Sequence, residues 1–177
     1  STSTNRPRPG AVKRGPSMSD IFISYKREEQ ATARKLANAL ESEGWTVWWD
    51  PKLRAGEHFD NVIEKALNEA KCFIVIWSQL SVNSEYVKAE ATEASEQRKL
   101  VPIKIENVNL PFRFKRVHTA SLLDWDGSKD ASEFRKLVED IAEIAGPAVP
   151  ETKRKANKEK GKSSTQQKTR VQRTVEK

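Results

Sequence analysis

The chain has 177 residues, of which 36% are hydrophobic, and a formal net charge of +7; this is room for one ordinary domain with tails, not for a core over the whole length. The positive charge sits at the ends. Residues 1–17 hold four basic residues and no acids, residues 151–177 hold ten basic and three acidic, and residues 18–150 hold eighteen basic against twenty-two acidic, a body of −4. Phosphate contacts need Lys and Arg clustered on the folded surface, so this distribution argues against a nucleic-acid-binding globule.

The single cysteine, Cys72, excludes an internal disulfide and suits a reducing, cytoplasmic setting. It lies in an apolar run, where ionisation of a thiol is disfavoured, so it is a poor nucleophile candidate. No run of about eighteen apolar residues is present to span a membrane, and no apolar signal region precedes the first strand.

Residues 1–17, STSTNRPRPGAVKRGPS, have no periodicity and read as a disordered arm or tag remnant, with Met18 as a natural start. Asp20-Ile21-Phe22-Ile23-Ser24-Tyr25 predicts a first strand, followed by a helix with Ala33, Leu36, Ala37 and Leu40 on its apolar face and Gly44 as its stop. Thr46-Val47-Trp48-Trp49 predicts a second strand. After the loop 50–58, DPKLRAGEH, a second helix is expected to about Ala70, since Phe59, Val62, Ile63, Ala66, Leu67 and Ala70 recur at helical spacing.

Cys72 to Trp77 is an apolar third strand. A third helix follows, with Asn83 or Ser84 as its cap. Leu100 to Ile105 is a fourth strand whose Pro102 suggests a start near an edge or a bulge. Residues 106–119 read as an irregular loop and Ala120 to Leu123 as a fifth strand. The last helix carries Phe134, Leu137, Val138, Ile141 and Ile144, with Ser128 or Asp130 as its cap and Gly146-Pro147 as its end. Residues 147–177 read as a basic disordered tail or linker.

Strands alternating with helices predict a parallel sheet covered on both faces, and five strands over this length fit the flavodoxin-like order 2-1-3-4-5. In that order the loops after the first and third strands diverge and leave a crevice. Tyr86 and Glu90, four apart on the third helix, would lie beside it, with Glu90 as candidate catalytic residue of a nucleotide-cleaving site. The alternative reading makes Tyr86 a core contact and Glu90 a solvated helix glutamate.

Other chemistries find little support. There is no glycine-rich phosphate loop, and His58 and His118 have no spaced partner for a metal. Ser24 and Ser78 end strands, but no histidine is placed near both, and the end of the first strand lacks the acids of a receiver domain. Trp45, Trp48 and Trp49 read as packing residues.

Five segments in this order, IFISYK, DPKLRAGEHF, VIWS, SEYVKAE and LVPIKI, resemble a Toll/interleukin receptor (TIR) domain of the bacterial kind over about residues 18–146. The resemblance implies an NAD+ glycohydrolase that cleaves the nicotinamide–ribose bond to give ADP-ribose or a cyclic form, with NAD+ as substrate and no cofactor or metal. Glu90 matches the family's essential glutamate, and Tyr86 takes the place of its usual Trp. Ser24, Tyr25 and Lys26 match the strand-one end that lines the nucleotide pocket, and Ser78, opening the loop after the third strand, is a further substrate-binding candidate. Arg54 and Gly56 match the BB loop, where Ala55 replaces a frequent Pro, and Lys26, Arg27 and Arg54 are candidates for the pyrophosphate.

Activation by homotypic TIR–TIR self-association, contacts with other TIR domains, fusion to further modules, and a role in anti-phage defence or host-signal interference are further expectations of the resemblance. The alternative function is a non-enzymatic TIR–TIR interaction module, a signalling adaptor or a mimic of one; family adaptors often lack the glutamate that is present here. For the basic tail, contact with nucleic acid or anionic lipid is weaker than a solvated linker.

Overall fold

A computed structural model describes residues 19–49 and 60–150. Strands β1 (Ile21–Ser24), β2 (Val47–Trp48), β3 (Cys72–Trp77), β4 (Leu100–Lys104) and β5 (Ala120–Ser121) form one sheet in the order β2-β1-β3-β4-β5. Every pairing is parallel, as crossover helices require. Helices α1 (Gln30–Glu43), α2 (Asp60–Glu69), α3 (Glu85–Glu96) and α4 (Ser132–Ala145) cover both faces, which is the predicted flavodoxin-like arrangement.

The two faces follow from strand alternation. Ile21, Ile23, Cys72, Ile74 and Ile76 point to one side, where Ala33, Leu36, Ala37 and Leu40 of α1 and Phe134, Leu137 and Ile141 of α4 cover them. Phe22, Phe73, Val75 and Trp77 point to the other, against Ala66 and Leu67 of α2 and Val87, Ala91 and Ala94 of α3. All six residues of β3 are buried, because a central strand with helices on both sides has no wet face. Each fully buried Leu or Ile contributes about 1.5–3 kcal/mol relative to exposure.

Helix α1 ends at Gly44, whose φ of 119° is open to glycine and strained for other residues. A Cβ there would also meet the backbone of Val149 at 2.9 Å, because the chain leaving α4 returns to this turn. The Trp45 indole N–H donates to the Gly146 carbonyl at 3.1 Å and fastens the same contact.

Several boundaries differ from the sequence expectation. Strand β2 loses Thr46, whose N–H and hydroxyl both donate to Asp20 Oδ2 at 3.0 Å. Strand β5 stops at Ser121, and the chain turns through Asp124 at a φ of 58°. Neither Ser128 nor Asp130 caps α4. Ala131 occupies that position, while the Ser128 hydroxyl accepts from Asp130 N–H within the preceding turn.

Pro102 lies in a strand paired on both sides, not at a sheet edge. It is tolerated because odd-numbered residues of β4 bond to β3 while even-numbered ones face β5. Strand β5 begins only opposite Ile103, so the missing N–H of Pro102 falls just before that ladder.

Candidate active site

Helix α1 leaves the end of β1 on one face of the sheet, and α3 leaves the end of β3 on the other. β1 and β3 are neighbours, with Ser24 beside Val75. Their carboxyl ends therefore form a topological switch point, where open α/β sheets bind ligands.

Ser24 has the parity of Phe22 and so faces α3. That helix starts at Ser84, whose side chain accepts from Val87 N–H at 3.4 Å. Its buried stripe is Val87, Glu90, Ala91 and Ala94, and the two small alanines allow close approach to the sheet. Glu90 thus occupies a core position and is 6% exposed. The Ser24 hydroxyl donates to Glu90 Oε2. A buried carboxylate needs such donors, since without them burial of its charge is strongly unfavourable.

Tyr86 lies one turn before Glu90 and is 41% exposed. The reading of Tyr86 as a core contact and Glu90 as a solvated glutamate is thus reversed in both halves. Helix α3 sets a buried acid beside the end of β1, and a half-exposed aromatic ring lies one turn away on the same helix.

A second carboxylate was missed from the sequence. Glu29 closes the short helical turn Arg27–Glu29 and is 8% exposed. Its Oε1 accepts from the Ser78 hydroxyl, and its Oε2 accepts from the Lys26 backbone N–H at 3.3 Å. Ser78 is itself braced by Ser81, whose hydroxyl accepts from Ser78 N–H at 2.8 Å and donates to the Ile76 carbonyl at 2.7 Å. A sequence signal existed. Glu29 lies 4, 7, 8 and 11 positions before Ala33, Leu36, Ala37 and Leu40, so the apolar stripe of α1 extended backwards lands on an acid.

The other expected site residues are distributed unevenly. Lys26 is half-buried and Arg27 exposed, two and three residues beyond Ser24. Ser78 is buried in the Glu29 network. Tyr25 points to the α1–α4 face, away from Glu90, and its hydroxyl donates to the Trp49 carbonyl at 2.9 Å, which ties the end of β1 to the end of β2. Arg54 and Gly56 lie outside the described residues, as do His58 and the rest of the loop 50–58.

The tryptophans near β2 pack. Trp45 is buried, Trp48 lies 4.6 Å from Phe22 ring to ring, and Trp49 carries Arg34 at 5.7 Å from its ring centre. His118 precedes β5 at the amino-terminal end of the parallel strands, whereas Ser24 and Ser78 lie at their carboxyl-terminal end; its imidazole is 3.5 Å from Asp140 of α4. Cys72 begins β3, at the amino-terminal end of the strands and away from Ser24 and Ser78, and burial pushes its thiol up to about 12. Among the described residues no cluster of His, Cys, Asp and Glu could hold a metal ion, and no helix is long and apolar enough to cross a membrane.

A family model described as a TIR domain matches residues 21–138. The fold is similar to the TIR domain of the Toll-related receptor TRR-2 from the lower metazoan Hydra magnipapillata, at 21% identity and a TM-score of 0.57, over 70% of this chain and 98% of that one. It is also similar to a metazoan TIR-STING receptor from C. gigas, solved in complex with 2′,3′-cGAMP, at 27% identity and a TM-score of 0.57 over 78% of this chain. The chain spans 42% of that receptor's length. No curated protein matches it. The match covers more than half of the sequence and coincides with the sheet and helices that carry Ser24 and Glu90, so this chain belongs to the TIR-domain family.

Proposed function

We propose that the chain is an NAD+ glycohydrolase, with Glu90 as its catalytic residue and NAD+ as substrate, not cofactor. The observation that supports this best is the buried Glu90 carboxylate beside the end of β1, where it accepts from Ser24. The rest of the same buried stripe is Val87, Ala91 and Ala94, so Glu90 is its one charged member.

In the reaction the bond between the ribose and the nicotinamide nitrogen breaks, and its electron pair leaves with nicotinamide. The ribose is left with oxocarbenium character. Glu90 accepts from the ribose hydroxyls and stabilises the developing positive charge, an effect strengthened by burial. Water then adds to the anomeric carbon and loses a proton, giving ADP-ribose; attack by a base nitrogen of the same molecule gives a cyclic product. Nicotinamide leaves as a neutral molecule, so no strong general acid is required.

Tyr86 offers a ring face to the base or sugar. Lys26, Arg27 and Arg54 neutralise the pyrophosphate, and Ser78 and Gly56 border the nucleotide. Self-association places the loop 50–58 of one copy against the site of the next and completes it. On this reading the protein acts in the cytoplasm, in defence by NAD depletion or against a host pathway. Incubation of the assembled protein with NAD+, followed by mass spectrometry of the products, tests the reaction and separates linear from cyclic ADP-ribose. Intact NAD+ would overturn it.

A second reading, a TIR–TIR interaction module without catalysis, draws support from Phe112, an aromatic residue 89% exposed on the turn Phe112–Phe114. Unchanged NAD+ together with concentration-dependent assembly lost in Phe112→Ser would favour it.

A further inference from the structure

Two carboxylates cross between the loops at the switch point. Glu90, on the helix that follows β3, accepts from the serine that ends β1. Glu29, in the turn that follows β1, accepts from the serine just beyond β3. Each strand end thus donates to an acid carried by the other strand's connection. The first tie belongs to the proposed catalytic residue. In the second, Glu29 itself has no part in the proposed reaction, yet it is nearly as buried as Glu90.

We propose that Glu29 is a positioning residue for the Glu90 site, tying the turn after β1 to the turn after β3 and so setting where α3 begins. The consequence for catalysis rests on the NAD-cleaving reading; the tie rests on geometry alone. On one side Glu29 holds the backbone N–H of Lys26, two residues beyond Ser24. On the other it holds the Ser78 hydroxyl, which also accepts from Ser81 N–H at 3.1 Å. Ser81 starts the turn Ser81–Asn83, and that turn leads directly into Ser84, the cap of α3. One carboxylate therefore links a candidate pyrophosphate-binding residue to the first turn of the helix that carries Tyr86 and Glu90.

Removing Glu29 leaves the Ser78 hydroxyl and the Lys26 N–H without this acceptor in a buried place, and the cheapest relief is for the two turns to separate and admit water. Glutamine keeps one oxygen that can accept from either donor, so it restores part of the tie. A role confined to the start of α1, such as a favourable charge at a helix N-terminus, would instead lower overall stability and leave the chemistry of folded molecules untouched.

The test compares assembled wild type, Glu29→Gln, Glu29→Ala, Ser78→Ala and the double alanine variant, by kcat and KM for NAD+ and by amide hydrogen exchange. Glu29→Ala and Ser78→Ala are each expected to lower kcat by about tenfold, well beyond any change in KM, with the double variant no worse than the weaker single one, as for residues acting as a unit. Glu29→Gln should recover part of the loss. In Glu29→Ala the amides of Ser81 to Val87 should exchange faster while those of β3 keep their protection. Ser78→Ala, which removes only a hydroxyl, carries the test if Glu29→Ala folds poorly. Unchanged kcat in the folded single variants, losses that multiply in the double variant, or unchanged exchange at Ser81 to Val87 would overturn the proposal. Wild type that leaves NAD+ intact would overturn the catalytic reading by itself, and the exchange comparison then decides the tie by the same criterion.

Discussion

The hydroxyl of Ser24, the last residue of β1, donates to the carboxylate of Glu90, 66 residues further along the chain and on a different layer of the fold. Ser24→Ala removes that donor and leaves a buried carboxylate oxygen short of it. The variant should lose about 1–3 kcal/mol of stability in urea unfolding, the usual cost of a buried polar group deprived of its partner. NAD+ cleavage should fall by roughly tenfold to a hundredfold, since a carboxylate that stabilises charge depends on its aim. Full activity in Ser24→Ala would mean that Glu90 is held by other groups.

Lys99 is buried between β4 and the end of α2, and its ammonium donates to the carbonyls of Leu67 and Ala70. The Leu67 carbonyl lies in the last turn of α2 and the Ala70 carbonyl just beyond it, where intrahelical N–H donors run out. Lys99→Met should therefore cost about 1–3 kcal/mol in urea unfolding. Burial holds the Lys99 pKa below its ordinary value, with Glu93 and Cys72 opposing the shift. Between the lowered folded value and the ordinary one the unfolded chain binds more protons, so this group's contribution to stability rises with pH through that interval. The margin of wild type over Lys99→Met should widen accordingly on the alkaline side.

Cys72 gives the opposite slope. Burial pushes its thiol up to about 12, so the folded protein keeps a proton that the unfolded chain loses above about 8.5. Stability should fall between those values, the unfolding constant growing by up to roughly tenfold per pH unit, and Cys72→Ala should flatten the fall. At neutral pH the native thiol should resist alkylation by iodoacetamide and react promptly in denaturant.

If a neighbouring copy completes the site, specific activity should rise steeply with protein concentration and with a crowding agent. A dilution series of initial NAD+-consumption rates checks this. Rates strictly proportional to protein concentration would show that each chain is complete by itself.

Most of the fold was legible because its signals are local. Ala33, Leu36, Ala37 and Leu40 announce one helix face, Cys72 to Trp77 a strand buried on both sides, and Gly44 a stop that only its left-handed backbone explains. The strand order followed from fitting five alternating strands over this length to the flavodoxin-like order. The candidate site was legible where its residues share an element, as Tyr86 and Glu90 do.

The rest depended on pairings that spacing does not encode. Glu29 and Ser78 are 49 residues apart, and nothing near either one names the other. The resemblance groups Tyr25 with Ser24, yet consecutive strand residues face opposite sides, and the Tyr25 ring packs on the α1–α4 face, away from Glu90. The cap of α4 was misplaced because Ser128 is occupied by a local turn that has the same residue preferences as a cap.

The most direct measurement is nicotinamide release from NAD+ by assembled wild type, Glu90→Gln and Glu90→Ala at matched folded concentration. Wild type should cleave NAD+, and both variants should lose activity by about a hundredfold or more while keeping the fold, because each removes the charge that stabilises the transition state. Wild type that leaves NAD+ intact as an assembled oligomer, or Glu90→Ala at the full rate, would contradict the account.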